Sequence, residues 1–193
     1  DARVLPQLNV REAAELAYYG AKVLHPRTMI PLLDAKIPLY VRNTFDPDFA
    51  GTRIGDDGKP GAYPVKALTA ARGQALIAIE GSGMMGVPGM AARTFSALAA
   101  GGHSVSMISQ ASSEASICFV VPEGEAEAGA AALRGAFEAE IARRLIDEIR
   151  VTRGMALLAV VGLGMRGTPG IAARTFGALG REQINVVAVA QGS

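Results

Sequence analysis

The chain has 193 residues, half of them apolar, enough to bury a sizeable core in one large domain or two small ones. Lysine and arginine (19) nearly cancel aspartate and glutamate (18), so no strong field exists to draw nucleic acid or an anionic membrane, and no apolar run approaches the roughly 20 residues of a membrane span. A single cysteine, Cys118, excludes an internal disulfide and a cysteine-built zinc site, and with the lack of a signal-peptide pattern it fits a reducing cytoplasm.

In chain order, Asn9 and Glu12 have the spacing of a capping box and predict a helix ahead of Gly20. Lys22 follows in Gly20-Ala21-Lys22-Val23-Leu24-His25-Pro26. From the residues alone it is either a solvated lysine beyond a helix end or a cation placed for phosphate. Pro26 pushes His25 toward extended geometry, which favours a structural histidine. Leu39 to Val41 reads as a strand closed by Arg42-Asn43-Thr44, and Val65 to Thr69 is a further short strand candidate.

An internal repeat then dominates. LIAIEGSGMMGVPGMAARTFSALAAGGHSVSMISQAS, Leu76 to Ser112, matches LLAVVGLGMRGTPGIAARTFGALGREQINVVAVAQGS, Leu157 to Ser193, at a constant offset of 81. Each copy opens on an apolar β-branched run that reads as a strand, followed by a glycine-rich turn and a helix. Thr168 before Pro169 reads as an N-cap with proline at the first helical position, and Val87-Pro88 keeps the proline without the capping oxygen. Ala91, Phe95 and Leu98, like Ala172, Phe176 and Leu179, form one apolar stripe at i, i+4 and i+7, and Gly101-Gly102 ends the first helix. A second strand is predicted at Ser104 to Ser109 and at Asn185 to Ala190.

The first copy continues with a strand from Glu114 to Val121, a helix carrying Leu133, Phe137, Ile141 and Leu145 at four-residue spacing, and a strand around Ile149 to Thr152. The unit is β-α-β-β-α-β, the split βαβ arrangement. The second copy stops after its second strand, which leaves an open sheet edge. Either the polypeptide continues or another segment, such as Val65 to Thr69, completes the unit.

The repeat resembles a pair of ACT domains, the amino-acid-sensing modules of biosynthetic enzymes. The run EAAELAYYGAKVLHPRTMIPLLDAKIPLYVRNTFDPDFAGTRIG, Glu12 to Gly55, is similar to the last part of an aspartate kinase catalytic domain. The repeat tails ISQASSEASICFVVP and NVVAVAQGS look most like the bifunctional aspartate kinase/homoserine dehydrogenases. The resemblance implies an α/β (α+β) chain. Residues 1–63 would end an amino acid kinase α/β sandwich, 64–153 would form a ferredoxin-like βαββαβ ACT domain, and 154–193 an incomplete second one. It further implies a parent enzyme that phosphorylates the β-carboxylate of aspartate with ATP and Mg, its other catalytic motifs lying outside this chain, so no catalytic residue and no metal ligand is assigned here. Lys22 is the candidate for ATP contact.

For the effector, the resemblance points in the first copy to the turn residues Gly83, Met84, Gly86 and Gly89, to Ser104, Val105 and Ser106 at the start of the second strand near that turn, and to Gln110 at its end. In the second copy it points to Gly164, Gly167, Asn185 and Gln191. The turn glycines let backbone N–H groups approach a carboxylate at a helix N-terminus. Glutamine offers donor and acceptor to an amino acid, or pairs only with its own sheet. Ser106 stands where lysine-sensitive relatives tend to carry aspartate, so threonine is favoured over lysine. The glycine spacing also invites comparison with a dinucleotide fingerprint, but no acidic residue ends a following strand at the required distance. Arg93 and Arg174 read as solvated or interface ion pairs, Cys118 as buried, and Met84, Met85 and Met165 as packing against a partner subunit.

The expected partners are a free amino acid and further copies of the chain, paired edge to edge through ACT sheets as a homodimer or larger. Two other classes compete. An independent catalyst would need a clustered acid, base or nucleophile, which two distant histidines do not supply. A purely oligomerising module would use the same sheets without a ligand.

Overall fold

The computed structural model describes residues 3–21, 24–56, 63–111 and 115–191. It contains two compact units, Asp1–Ala71 with Leu158–Gln183, and Arg72–Leu157 with Ile184–Ser193.

In the first unit, β1 (Gln7–Leu8), β3 (Thr52–Ile54) and β2 (Leu39–Val41) form a three-stranded sheet in the order β1-β3-β2, with β1 parallel and β2 antiparallel to β3. Helix α1 (Val10–Tyr18) begins at the capping box that its sequence predicts. Asn9 Oδ1 accepts from Arg11 N, and Glu12 Oε2 accepts from Asn9 N at 3.0 Å. His25 opens α2 (Pro26–Asp34): its carbonyl accepts from the Thr28 N–H and hydroxyl, and its Nδ1 from Arg27 N. That is the structural role expected of it. Leu8, Val10, Ala13, Met29 and Ile54 make the small core of this region.

The second unit is the βαββαβ module. Strand β4 (Ala67–Glu80) leads through a glycine turn to α3 (Met90–Ala100), then β5 (Met107–Gln110), β6 (Ser116–Pro122), α4 (Ala126–Ala136), α5 (Glu138–Ala142) and β7 (Glu148–Val161). The sheet order is β5-β6-β4-β7, with β6 antiparallel to both β4 and β5. Side chains alternate across a strand, so Ala75, Ile77 and Ile79 of β4 and Ile117, Phe119 and Val121 of β6 share one face. Leu98 of α3, Ala130 and Leu133 of α4, and Phe137 bury against that face. Phe95 meets Phe119 edge to face at a ring separation of 6.0 Å.

Four local expectations are corrected. The helix predicted through Leu145 breaks at Phe137, whose φ of −115° leaves the helical well, and Leu145 stands outside α5 beyond Arg144, at φ 58°. Strand β5 begins at Met107, so Ser104 to Ser106 precede it. No strand is assigned at 184–190, where Ile184, Val186, Val187 and Val189 are exposed; the first copy's equivalent is held by β6, and positions 81 residues on from β6 lie past residue 193. Thr168 and Pro169 do not open the helix α6 (Ile171–Arg181), which starts from Gly170; the Thr168 hydroxyl donates back to Gly164 O at 2.7 Å.

Of the strand candidate Val65 to Thr69, Ala67 to Thr69 fall in β4 and Val65 and Lys66 precede it. Lys66 N donates to Val161 O, and Asp147 N donates to Glu80 O, both at 2.8 Å. Those bonds close opposite ends of an antiparallel β4/β7 pair, and their residues are related by the same offset of 81. Both strands run through the two units, each with a glycine at positive φ near its middle, Gly73 at 67° and Gly154 at 68°, again 81 apart.

Arg93 is an internal ion pair. Its guanidinium holds Glu140 Oε1, donates to Ala136 O at 2.8 Å and lies 4.6 Å over the Phe137 ring. The Arg93 hydrogen bond draws the Glu140 carboxyl below its ordinary range. A carboxyl lowered in the folded state stabilises above the ordinary carboxylate value and stops doing so as the pH falls through its folded value. Glu140→Gln should therefore unfold more easily than the parent chain at pH 7, with the difference shrinking below pH ~4. Urea titrations at the two pH values check this; a difference that stays constant refutes it.

Candidate functional site

Each repeat copy builds the same device where a strand meets a helix. After β4, residues Ser82–Met84 form a single 3-10 turn, the chain passes Gly86 at φ 69°, and Gly89 at φ 86° starts α3. After β7, Leu163–Met165 repeat the turn, with Gly167 at 78° and Gly170 at 84° ahead of α6. Only glycine takes this left-handed geometry without strain, so at residues 89 and 170 it sets the direction of the helix. Neither helix start has a side-chain cap, so its first N–H groups point outward unpaired by side chains, at the positive end of the helix dipole.

The other glycines of the turns serve the chain itself. A Cβ at Gly81 would lie 2.7 Å from Ile146 Cα, and one at Gly83 would lie 2.6 Å from Leu145 Cα. In the second copy, a Cβ at Gly162 would lie 2.9 Å from Lys66 N, and one at Gly164 would lie 2.8 Å from Pro64 Cα. Residues 64–66 thus stand to the second turn as 145–147 stand to the first. Gly83 and Gly164, expected to face a ligand, are turned against Leu145 and against the Pro64 backbone. Met84 is 1 % exposed within the unit's own core, which leaves no side chain for a ligand or a partner subunit. Around Gly86, Gly89 and Gly167, by contrast, a Cβ would meet nothing within 4 Å.

The register decides which other residues belong with the first turn. Gln110 opposes Ile117, which opposes Ile79, so Gln110 lies at the turn's end of the sheet, two strands or about 10 Å across. It is exposed on the edge strand β5, beside Ile108, which is 47 % exposed. Ser106 N donates to Val120 O, and Val120 opposes Leu76. Ser104, Val105 and Ser106 therefore sit at the opposite end, about 16 Å along the sheet, because α3 carries the chain back before β5 starts. Within one chain they are not neighbours of the turn. Val105 packs on the core, and Ser104 is exposed. Gly164 and Gly167 fall in the first unit, Asn185 and Gln191 in the second, and both of these polar side chains are exposed. The segment carrying them touches β5 where the Ser109 hydroxyl donates to Val189 O at 3.1 Å. Lys22 lies outside the described residues.

Among the described residues no group of three histidine, cysteine, aspartate or glutamate side chains is placed to hold a metal, and no helix is long and apolar enough to cross a membrane. Cys118 is half-buried rather than buried, on the sheet face away from α3; burial pushes its thiol up, the direction that makes it less reactive.

Comparison with known proteins agrees with this architecture. The ACT domain family model matches residues 77–137 and 158–193, half of the chain, and the amino acid kinase family model matches 1–43. A bifunctional aspartokinase/homoserine dehydrogenase of Haemophilus influenzae is 45% identical over 193 residues, all of this chain and 24% of the relative. A chloroplastic enzyme of the same description from Arabidopsis thaliana is 44% identical, again over the whole chain and 22% of its own length. Among solved structures, Clostridium acetobutylicum aspartate kinase superposes with a TM-score of 0.85 at 28% identity, covering 98% of this chain and 43% of that one. Escherichia coli aspartokinase III in complex with lysine and aspartate gives 0.72 at 29%, covering 100% and 41%. The chain thus spans about a quarter of the length of the curated relatives it matches.

Proposed function

The chain belongs to the ACT domain family, with an amino acid kinase segment ahead of it, and on that footing we propose that it is the regulatory region of an aspartate kinase. In this reading a free end-product amino acid, threonine in preference to lysine, binds at the first glycine turn and holds the kinase in a less active arrangement. The observation that carries it is the uncapped, glycine-led start of α3 at the same sheet end as Gln110, on an exposed edge strand. The helix start suits a carboxylate, and the amide of Gln110 suits an ammonium or hydroxyl. Ser106 offers a hydroxyl and no countercharge for a second ammonium.

Edge pairing completes the site. Two β5 strands joined antiparallel about a two-fold axis would set Ser104 to Ser106 of one copy beside Gln110 of the other, at the sheet end where that copy's turn lies. The complete polypeptide would then act on ATP with Mg and aspartate, with Lys22 near the nucleotide.

Linkage requires the amino acid to prefer one arrangement; a tenfold preference supplies about 1.4 kcal/mol of bias. Calorimetry on this chain with threonine, lysine and methionine tests the reading. Threonine should give heat, and Gln110→Ala should weaken its binding about tenfold, the loss of one hydrogen bond to a charged group. Heat with lysine alone would reassign the effector. Silence with all three, and no change of melting temperature, would leave only an oligomerising module.

A further inference from the structure

The second glycine turn carries a contact that the repeat does not predict. Glu12 is 4 % exposed and divides its carboxylate between two backbone donors. Oε2 accepts from Asn9 N at 3.0 Å, which completes the capping box of α1; Oε1 accepts from Leu163 N at 2.9 Å, across 151 residues of sequence. A capping box needs only the first of these bonds. Leu163 N–H belongs to the first residue of the second 3-10 turn, directly after Gly162. Both turns also close on themselves, Met84 N donating to Gly81 O in the first and Met165 N to Gly162 O in the second, and Gly81 N donates to Ala115 O just ahead of β6.

From this geometry we infer that Glu12 is a positioning residue, which clamps the second glycine turn to the start of α1 so that a shift of that turn is passed into the kinase-type segment. A buried carboxylate holding two N–H groups through charge-assisted bonds is stiff, since moving either donor alone strands an acceptor. The turn it grips is itself wedged on residues 64–66 at Gly162 and Gly164, so turn, strand and helix start share one set of contacts inside the first unit. The regulatory meaning of this clamp rests on the function proposed above; the clamp itself does not.

The test is a double-mutant cycle on the 193-residue chain, read by amide hydrogen exchange. Thr168→Ala removes the hydroxyl bond to Gly164 O and loosens the second turn from its own side. In the parent background this should speed exchange in the first turn of α1 by about threefold or more, and in a Glu12→Gln background it should have no such effect. Glu12→Gln alone should speed exchange at the Leu163 amide, whereas Asn9→Ala, which damages the cap but spares Oε1, should leave that amide unchanged. Glutamine keeps the size and one acceptor of the native side chain; should it fail to fold, the response of α1 to Thr168→Ala alone still decides the matter. Additive effects, or a Leu163 amide indifferent to Glu12→Gln, overturn the inference. In the complete polypeptide, Glu12→Gln should weaken inhibition by the amino acid about tenfold while its binding constant moves less than about twofold. If no amino acid binds the parent chain, the regulatory reading fails and the exchange cycle still judges Glu12.

Discussion

Gly81→Ala is expected to lower stability by about 3 kcal/mol, a large loss for a single methyl group. The added Cβ would sit 2.7 Å from Ile146 Cα and 3.1 Å from Asp147 N, and neither neighbour is a side-chain end that can swing aside. Backbone must move instead, and it is the backbone that bonds Asp147 N to Glu80 O and Gly81 N to Ala115 O. The backbone at Gly81 is extended, with φ at 174°, so the cost is one of space and not of conformation. Gly124→Ala is the control, because a Cβ there meets nothing within 4 Å. Thermal unfolding of the two variants should differ by ~10 °C or more. Equal melting temperatures would mean that the segment between α5 and β7 does not press on the turn.

Phe119→Ala carries the other large effect. Phe119 is fully buried at the centre of the sheet, with Phe95 against its edge, and its removal leaves a cavity that rigid neighbours on two helices cannot collapse to fill. The expected loss is about 4 kcal/mol. Phe176, the repeat counterpart of Phe95, is 44 % exposed on α6, a helix without a buried residue among those described. Phe176→Ala should change stability by less than about 0.5 kcal/mol, as surface substitutions do. Urea unfolding separates the two, and a comparable loss at Phe176 would show that the second copy has a packed core of its own.

Much of this is readable from residues. The capping box at Asn9 and Glu12, the strand Leu39–Val41, the histidine at the head of α2 and the βαββαβ order follow from spacing and periodicity. The helix starts do not, because Val-Pro-Gly and Thr-Pro-Gly look alike whether proline enters the helix or the turn before it; the left-handed glycines decide, and φ is invisible in a sequence. The repeat also reaches further back than Leu76 and Leu157. Arg72-Gly73 and Ala75-Leu76 match Arg153-Gly154 and Ala156-Leu157, a signal present in the letters. Beyond that, residues 64–66 and 145–147 share only their geometry against Gly81 and Gly162. Separation of the start of β5 from the first turn is hidden for a different reason: it depends on strand register, which no local pattern records. The second acceptor of Glu12 is equally hidden, since its partner is set by the tertiary fold.

The outer strand of the second copy is supplied from upstream of the first. A protein engineer who grafts this module onto another enzyme, or trims it for crystallisation, would naturally cut beside Arg72, where the first βαββαβ unit looks complete. That cut discards Pro64 to Ala71 and with them the rail against which Gly162 and Gly164 seat. A cassette that is to keep both turns intact has to begin no later than Tyr63, whatever enzyme it is fused to.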